Sequence, residues 1–382
     1  MRQQRFNPNF QFVKDPIEFD KFTPRETLQY CLGGLLYMPA TRDFRQALIQ
    51  KKIPGLTSMV LCFEDAVDEK DLPMAEENAV QFLHFVKESR DNGTLDKQDI
   101  PLIFFRVRSV EQFNSIADKL DADTISILTG FIFPKFSSQN GLDYFTKLRS
   151  LNDKYGIILY AMPILEGREI AYKETRFNEL MCVKTLLDCY KDLVLNVRVG
   201  GTDFSACFGV RRGIDYTIYD IMPVRDCLLD ILNVFARENS YVISGPVWEY
   251  FLASKEMKFS QLPDEQFYQS LLTRTPIVNN AVDGLLRELI LDKANGFIGK
   301  TVIHPTHLPF VNGIQAVTED EYNDAMQILN TSGGVIKSEK GNKMNEIKPH
   351  TNWAKKVCMR ADAFGVIKDE NSYLELFSSD GV

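Results

Sequence analysis

The chain has 382 residues, 45% of them hydrophobic and 25% charged, the balance of a globular protein with a sizeable core and not of a disordered one. Its net charge of -8 and pI near 5.3 exclude a general binder of nucleic acid or of anionic membrane, because neither polyanion is drawn to such a surface. Seven scattered cysteines without a C-x-x-C pair suggest neither a disulfide framework nor a zinc site. With no signal-like apolar run at the start and no stretch approaching ~20 apolar residues, the expected location is the cytoplasm.

Eight short apolar, β-branched or aromatic runs follow in chain order, at 34–38, 59–63, 102–107, 130–133, 157–162, 193–199, 241–244 and 301–304. Amphipathic charged segments long enough for helices separate most of them, among them 73–90, 143–155, 177–191 and 222–238. Strand and helix in alternation imply a parallel sheet. Eight such units fit an α/β fold of the (β/α)8 TIM-barrel type, whose usual length is ~250 residues. An open doubly wound sheet is the alternative, and it lacks the G-x-G-x-x-G that would follow its first strand. The stretch 245–295 exceeds one loop and helix and includes a polar piece, 255–267, suited to capping one end of the barrel. After Phe310 the pattern turns helical (318–329) and then rich in Gly and Lys (331–343). The expected organisation is a catalytic barrel over 28–316 with a C-terminal helical extension or lid over 317–382.

A barrel enzyme builds its site where its strands end, so the polar residues closing the eight runs carry the functional reading. They are Glu64 and Asp65 after the second run, Arg106 at the third, Lys135 after the fourth, Glu166 at the fifth, Asp203 after the sixth and His304 at the eighth. Unpaired buried charge is expensive, so several such residues converging on one mouth suggest a site. Glu166 (PILEGRE) and Asp203 (RVGGTDF) come from adjacent strands and offer oxygen ligands. Magnesium takes one or two protein carboxylates and leaves its other positions to water and substrate. The competing reading pairs Glu166 with Arg168 or Arg106 and lets Asp203 cap the following helix. Arg106 offers a planar fork for a carboxylate or enolate oxygen, against a structural ion pair with Glu64. Lys135 neutralises the acids or simply supports them. Histidines make no metal triad: His84 belongs to an outer helix, His350 to the tail, and the proline inside HPTH breaks the helix that would align His304 with His307.

These residues carry a resemblance. LLYMPATRDF resembles the "fvPa" strand, CFEDAVDEKD the "DLEDAV" motif, RVR at 106–108 the "R-x-N" strand and Pro134-Lys135 the "PK" step of the citrate lyase β-subunit branch of the HpcH/HpaI aldolase superfamily. PILEG is similar to its metal glutamate motif, VGGTDF to its metal aspartate motif, and GFIGKTVIHP to "GF-x-GK-x-x-IHP". The pattern is most similar to a divergent branch of carbon-carbon bond lyases from bacterial operons associated with tellurium resistance.

The resemblance implies a TIM barrel, Mg2+ (with Mn2+ as the alternative) on Glu166 and Asp203, and Arg106 on the substrate's carboxylate or enolate. Asp65 and Glu346 are the other candidate catalytic residues, while Glu64, Lys135, Gly201, Thr202 and His304 would bind substrate or support the site. Substrates of the family are carboxylate-bearing keto or hydroxy acids and CoA thioesters. The expected reaction is a magnesium-dependent retro-aldol or retro-Claisen cleavage. A phosphoenolpyruvate- or pyruvate-utilising barrel and a non-catalytic binding barrel are the alternatives. Arg108 replaces the family's asparagine and Cys62 its first aspartate, and HPTH stands for "HPsQ". GNKMNEIKP resembles a C-terminal acidic loop that reaches a neighbouring subunit, which implies a homo-oligomer and sets Glu346 at the acidic position. Residues 341–353 are accordingly expected over a barrel mouth, in their own subunit or in a neighbouring one.

Overall fold

The computed structural model describes residues 1–251, 267–338, 341 and 343–378. Eight parallel strands follow one another: β1 (Gly34–Pro39), β2 (Ser58–Cys62), β3 (Leu102–Arg106), β4 (Leu128–Phe133), β5 (Tyr160–Leu165), β6 (Val197–Val199), β7 (Ile243–Ser244) and β8 (Lys300–Val302). Their order is β7-β6-β5-β4-β3-β2-β1-β8. A parallel bridge between Gly245 and Lys300 closes β7 onto β8, so the sheet is a barrel and the open-sheet alternative falls.

The eight expected runs match the eight strands, with shifts that have local causes. The fifth run was expected at 157–162, but the strand runs from Tyr160 to Leu165, because the Asn152 side chain holds the Leu159 backbone at both N–H and C=O. The sixth is shorter than expected because 194 meets β5 only through an isolated bridge from Ala161. The helices Leu72–Asp91, Gly141–Tyr155, Lys173–Cys189 and Met222–Phe235 lie where the amphipathic segments predict them.

Alternation along the strands divides the core in two. Leu36, Leu61, Phe105, Phe131, Leu165, Val199 and Ile243 face the surrounding helices. Leu35, Val60, Phe104, Ile132, Met162, Ile164 and Val242 fill the barrel interior, where Phe19, Leu28, Ala363 and Phe364 join them. The helix Ile347–Phe364 therefore plugs the N-terminal end of the barrel. Its Lys356 donates to the Gly296 carbonyl just before β8, and Asn239, just before β7, donates to the Asn352 carbonyl.

A smaller core of Val317, Ala325, Ile328, Ile347, Ala354, Val357, Ala361 and Val366 ties the tail together. The helix Glu319–Asn330, capped by Thr318, is the one expected there. Besides helices the extension holds β9 (Val317–Thr318) paired with β12 (Val366–Ile367), and an antiparallel pair, β10 (Val335–Lys337) with β11 (Met344–Glu346). These short strands escape sequence reading because two or three residues carry no period. Of the polar piece at 255–267, residues 255–266 lie outside the described residues. No helix among the described residues is long and apolar enough to cross a membrane.

Candidate active site

Register fixes where the strands deliver their last side chains. Pro39 pairs with Cys62, Cys62 with Arg106 and Arg106 with Ile132, so one row across β1 to β4 ends at the C-terminal mouth. Beyond it lies a cavity of about 460 Å³ lined by Tyr37, Cys62, Asp65, Arg106, Glu166 and Asp203, with Gly201, Thr202, Glu249 and Thr301 completing the wall.

Glu166 follows β5 directly and is 6% exposed. One oxygen accepts the Lys135 backbone N–H at 2.9 Å, and its other oxygen has no hydrogen-bond donor among the described residues. Burial, and then the charge of Asp203, pushes its carboxyl up to about 8. Asp203 sits in the first turn of the helix Gly201–Cys207, which has no side-chain cap, and neither of its oxygens has a hydrogen-bond donor among the described residues. The competing reading, in which Glu166 pairs with an arginine and Asp203 caps a helix, therefore has no bond to support it. Gly200 is what lets the pair form: a Cβ there would stand 2.2 Å from a Glu166 carboxylate oxygen.

Lys135 adopts a left-handed backbone (φ 45°), which costs a non-glycine residue about 1 kcal/mol or more. That conformation aims its N–H at Glu166 while its ammonium reaches the Glu64 carboxylate at 2.5 Å. Arg106 completes the cluster, with Nη1 3.0 Å from Glu64 and Nη2 3.1 Å from Asp65. Its Nε and Nη2 also donate to the Cys62 sulfur at 3.2 and 3.0 Å. Burial opposes its charge, but Cys62, Glu64 and Asp65 outweigh that and hold the guanidinium more firmly protonated than usual. The expected ion pair of Arg106 with Glu64 is thus present. With Nε and Nη2 hydrogen-bonded to Cys62 and Asp65 and Nη1 set against Glu64, a two-pronged grip on substrate requires the two-thirds exposed Asp65 to yield its place.

The remaining predicted residues fall around this cluster or away from it. Gly201 and Thr202 line the mouth, Thr202 donating to Glu249 at 3.4 Å. His304 stands apart from the acids: its ring lies 4.1 Å from Phe251, stacked, and its Nδ1 is 2.7 Å from the Thr306 hydroxyl. Glu346 is not brought to the mouth of its own chain. It ends β11 before the helix that plugs the opposite end of the barrel, so the expectation that 341–353 covers this mouth is corrected within one chain; the helix follows the apolar N-terminal end because Ala363 and Phe364 bury there.

Several contributors escaped the sequence reading. Arg108, visible only as a departure from a motif, donates to the carbonyls of Phe63, Glu64 and Val67 and so pins the loop carrying Glu64 and Asp65. Tyr37 lies under the guanidinium groups of both Arg106 (5.2 Å) and Arg198 (5.8 Å). Its place as an inward residue of β1 was readable from alternation, but its partners from β3 and β6 were not.

The mouth sets the acids Glu64, Asp65, Glu166 and Asp203 against the cations of Arg106 and Lys135, and leaves the Glu166 and Asp203 pair open to a divalent cation. No group of three or more His, Cys, Asp or Glu side chains among the described residues could hold a metal. Two oxygen donors with open positions suit magnesium, not a closed zinc site.

The chain matches the model of a family described as carbon-carbon bond lyases of the TIM-barrel fold over residues 26–366. No curated protein matches it in sequence. Among solved structures it is similar to the protein CitE from Mycobacterium tuberculosis in complex with magnesium, acetoacetate and coenzyme A, at 16% identity and a TM-score of 0.50, covering 87% of this chain and 99% of that one. It is also similar to the malate synthase of Haloferax volcanii in a magnesium and glyoxylate complex, at 9% identity and a TM-score of 0.51, covering 90% of this chain and 97% of that one. At these identities the two structures speak for the fold.

Proposed function

The chain belongs to the carbon-carbon bond lyase family of the TIM-barrel fold, and from that premise we propose that it cleaves a carboxylate-bearing 2-keto or 3-hydroxy acid, or its CoA thioester, with magnesium held by Glu166 and Asp203. The observation that carries the reading is that pair: a buried carboxylate and a half-buried one, close enough for the charge of one to raise the other, facing a cavity with open oxygens and with Arg106 in the same lining. Magnesium is the family's metal in this reading and manganese its closest substitute. Bound there, such an ion supplies Lewis-acid polarisation of a carbonyl and a template for the substrate's oxygens.

The chain's own groups supply the rest. Asp65, exposed and in contact with Arg106, takes the proton of the substrate hydroxyl as the carbon-carbon bond breaks. The bonding pair passes to the carbonyl side, and Arg106 stabilises the enolate charge as it develops. Leaving Arg106 for the substrate frees Asp65 as a base and frees the fork at once, so both roles need the same small motion. Glu64 and Lys135 fix the orientation of Arg106 and of the loop throughout. Glu346 can serve as the acid only in a second copy of the chain, in a homo-oligomer.

The test is product analysis with Mg2+ present, supplying malate, citramalate and their CoA thioesters and measuring release of 2-keto acid or acyl-CoA. Wild type is expected to cleave at least one of them, and Glu166→Gln and Asp203→Asn to abolish both cleavage and Mg2+ binding. Variants that bind Mg2+ as tightly as wild type would refute the assignment.

A further inference from the structure

Arg198 is the least explained charge in the molecule. It belongs to β6, points into the barrel and is 1% exposed, yet no carboxylate forms an ion pair with it among the described residues. Its Nη2 donates to the Thr301 hydroxyl at 2.7 Å, its Nη1 reaches the Asn196 side-chain Oδ1 at 3.5 Å, and its Nε has no hydrogen-bond partner among the described residues. Burying a cation without a counter-ion is costly, and here a second cation is close by, because Arg198 and Arg106 share the Tyr37 ring. Arg198 itself sits on β6, but the Thr301 that it bonds belongs to β8, three strands around the closed barrel from the β5 strand that ends at Glu166.

Thr301 is the route from that charge to the cavity. Its side chain lines the mouth. Its oxygen already accepts the Arg198 guanidinium, so its own O–H must donate elsewhere, and no acceptor on the protein takes it among the described residues. A hydroxyl that accepts a charge-assisted bond is a stronger donor, since each bond in such a chain polarises the next. We propose that Thr301 is a substrate-contacting residue that donates to an anionic oxygen at the end of the substrate remote from the metal acids, and that buried Arg198 is its positioning residue. The mouth thereby selects substrates carrying a second carboxylate. This rests on the reading that 2-keto acids bind at the Glu166 and Asp203 mouth.

The test is calorimetric binding to the full-length protein in saturating Mg2+, using two matched probe pairs that differ only in a terminal carboxylate against a methyl: oxaloacetate with 2-oxobutyrate, and 2-oxoglutarate with 2-oxovalerate. In at least one pair wild type should bind the dicarboxylate about tenfold or more tightly. Thr301→Val, which keeps the shape and removes the hydroxyl, should erase that preference without weakening the monocarboxylate, and Thr301→Ser should restore it. Arg198→Met should erase it too, and combining it with Thr301→Val should add no further loss. If Arg198→Met does not fold, the two Thr301 variants decide alone. Equal binding within both pairs, or a preference that survives Thr301→Val, overturns this inference and leaves the metal site standing; failure of every probe to bind overturns both.

Discussion

Two clusters of buried charge flank the wall of the barrel, and they are paired to different degrees. Behind β8, the fully buried Lys300 ammonium lies 2.8 Å from Glu288 and 2.7 Å from Asp292. Arg212 bonds the second Glu288 oxygen, the Ile218 N–H joins it at 2.6 Å, and the Tyr219 hydroxyl donates to the second Asp292 oxygen at 2.6 Å. All four carboxylate oxygens there have donors. At the mouth, three carboxylate oxygens of Glu166 and Asp203 have none among the described residues. Charge that the fold satisfies completely is structural. Charge that it leaves open points to a ligand. Burial raises Asp292 and Glu166 alike, and of these three acids Glu288 alone, with Lys300 and Arg212 both on it, is held below the ordinary carboxylate range.

The largest expected effect lies in the satisfied cluster. Glu288→Gln removes the carboxylate that Lys300 and Arg212 share, leaving Lys300 to Asp292 and Arg212 to Glu249, and breaking buried pairs in this way costs about 3–5 kcal/mol. Urea unfolding should reveal that loss, and a change under about 1 kcal/mol would mean the network is not what holds β8 to its helix. Next comes Arg106→Lys at the mouth. A point charge cannot replace the fork, so turnover should fall about 10²–10³-fold, the cost of removing one donor to a developing oxyanion. Kinetics within twofold of wild type would take Arg106 out of the reaction.

Third, Glu166→Gln should do to stability the opposite of Glu288→Gln. It removes a repulsion between acids and strands no cation, so metal-free stability should stay within about 1 kcal/mol of wild type or rise. Wild type should gain about 2.7 kcal/mol at a Mg2+ concentration a hundred times its Kd, and the variant should gain nothing. A Mg2+-dependent rise in Tm that survives in Glu166→Gln would erase the contrast between the two clusters.

How much of this contrast the sequence discloses depends on the reach of each signal. The eight strands were legible because apolar runs of four to six residues alternate with amphipathic segments, and Glu64, Asp65, Arg106, Glu166 and Asp203 were legible because each stands at the end of a run. The satisfied network was not. Lys300 reads as part of a GK motif, and Glu288 and Asp292 read as one polar stripe on the helix Asn280–Ala294; only the packing of that helix on β8 turns the stripe inward. Arg198 was hidden for the same reason: a charge within V-R-V reads as the exposed side of a strand until barrel closure brings Thr301 to it. The tail's acidic motif is local, whereas its docking within one chain depends on Ala363 and Phe364 meeting the apolar end of the barrel, which no local motif signals.

The smallest effect tests the satisfied cluster at its weakest link. Tyr219→Phe removes the hydroxyl that donates to Asp292 and leaves Lys300 as that carboxylate's one remaining side-chain donor among the described residues. A lost hydrogen bond of this kind costs about 1–2 kcal/mol. Its pH dependence has a definite sign. Burial, partly offset by Lys300, raises the Asp292 carboxyl above the ordinary carboxylate range, so the folded state holds this proton more tightly than the unfolded chain does. A raised carboxyl favours folding below its folded pKa and loses that contribution as pH climbs through it. Without Tyr219 the ionised form is stabilised less and the folded pKa rises further. The deficit of Tyr219→Phe should therefore be smaller below the raised Asp292 pKa and grow as pH climbs through it, where the charged form must be held. Denaturant melts across a pH series decide the matter: a deficit that does not change with pH would mean that Asp292 stays ionised throughout.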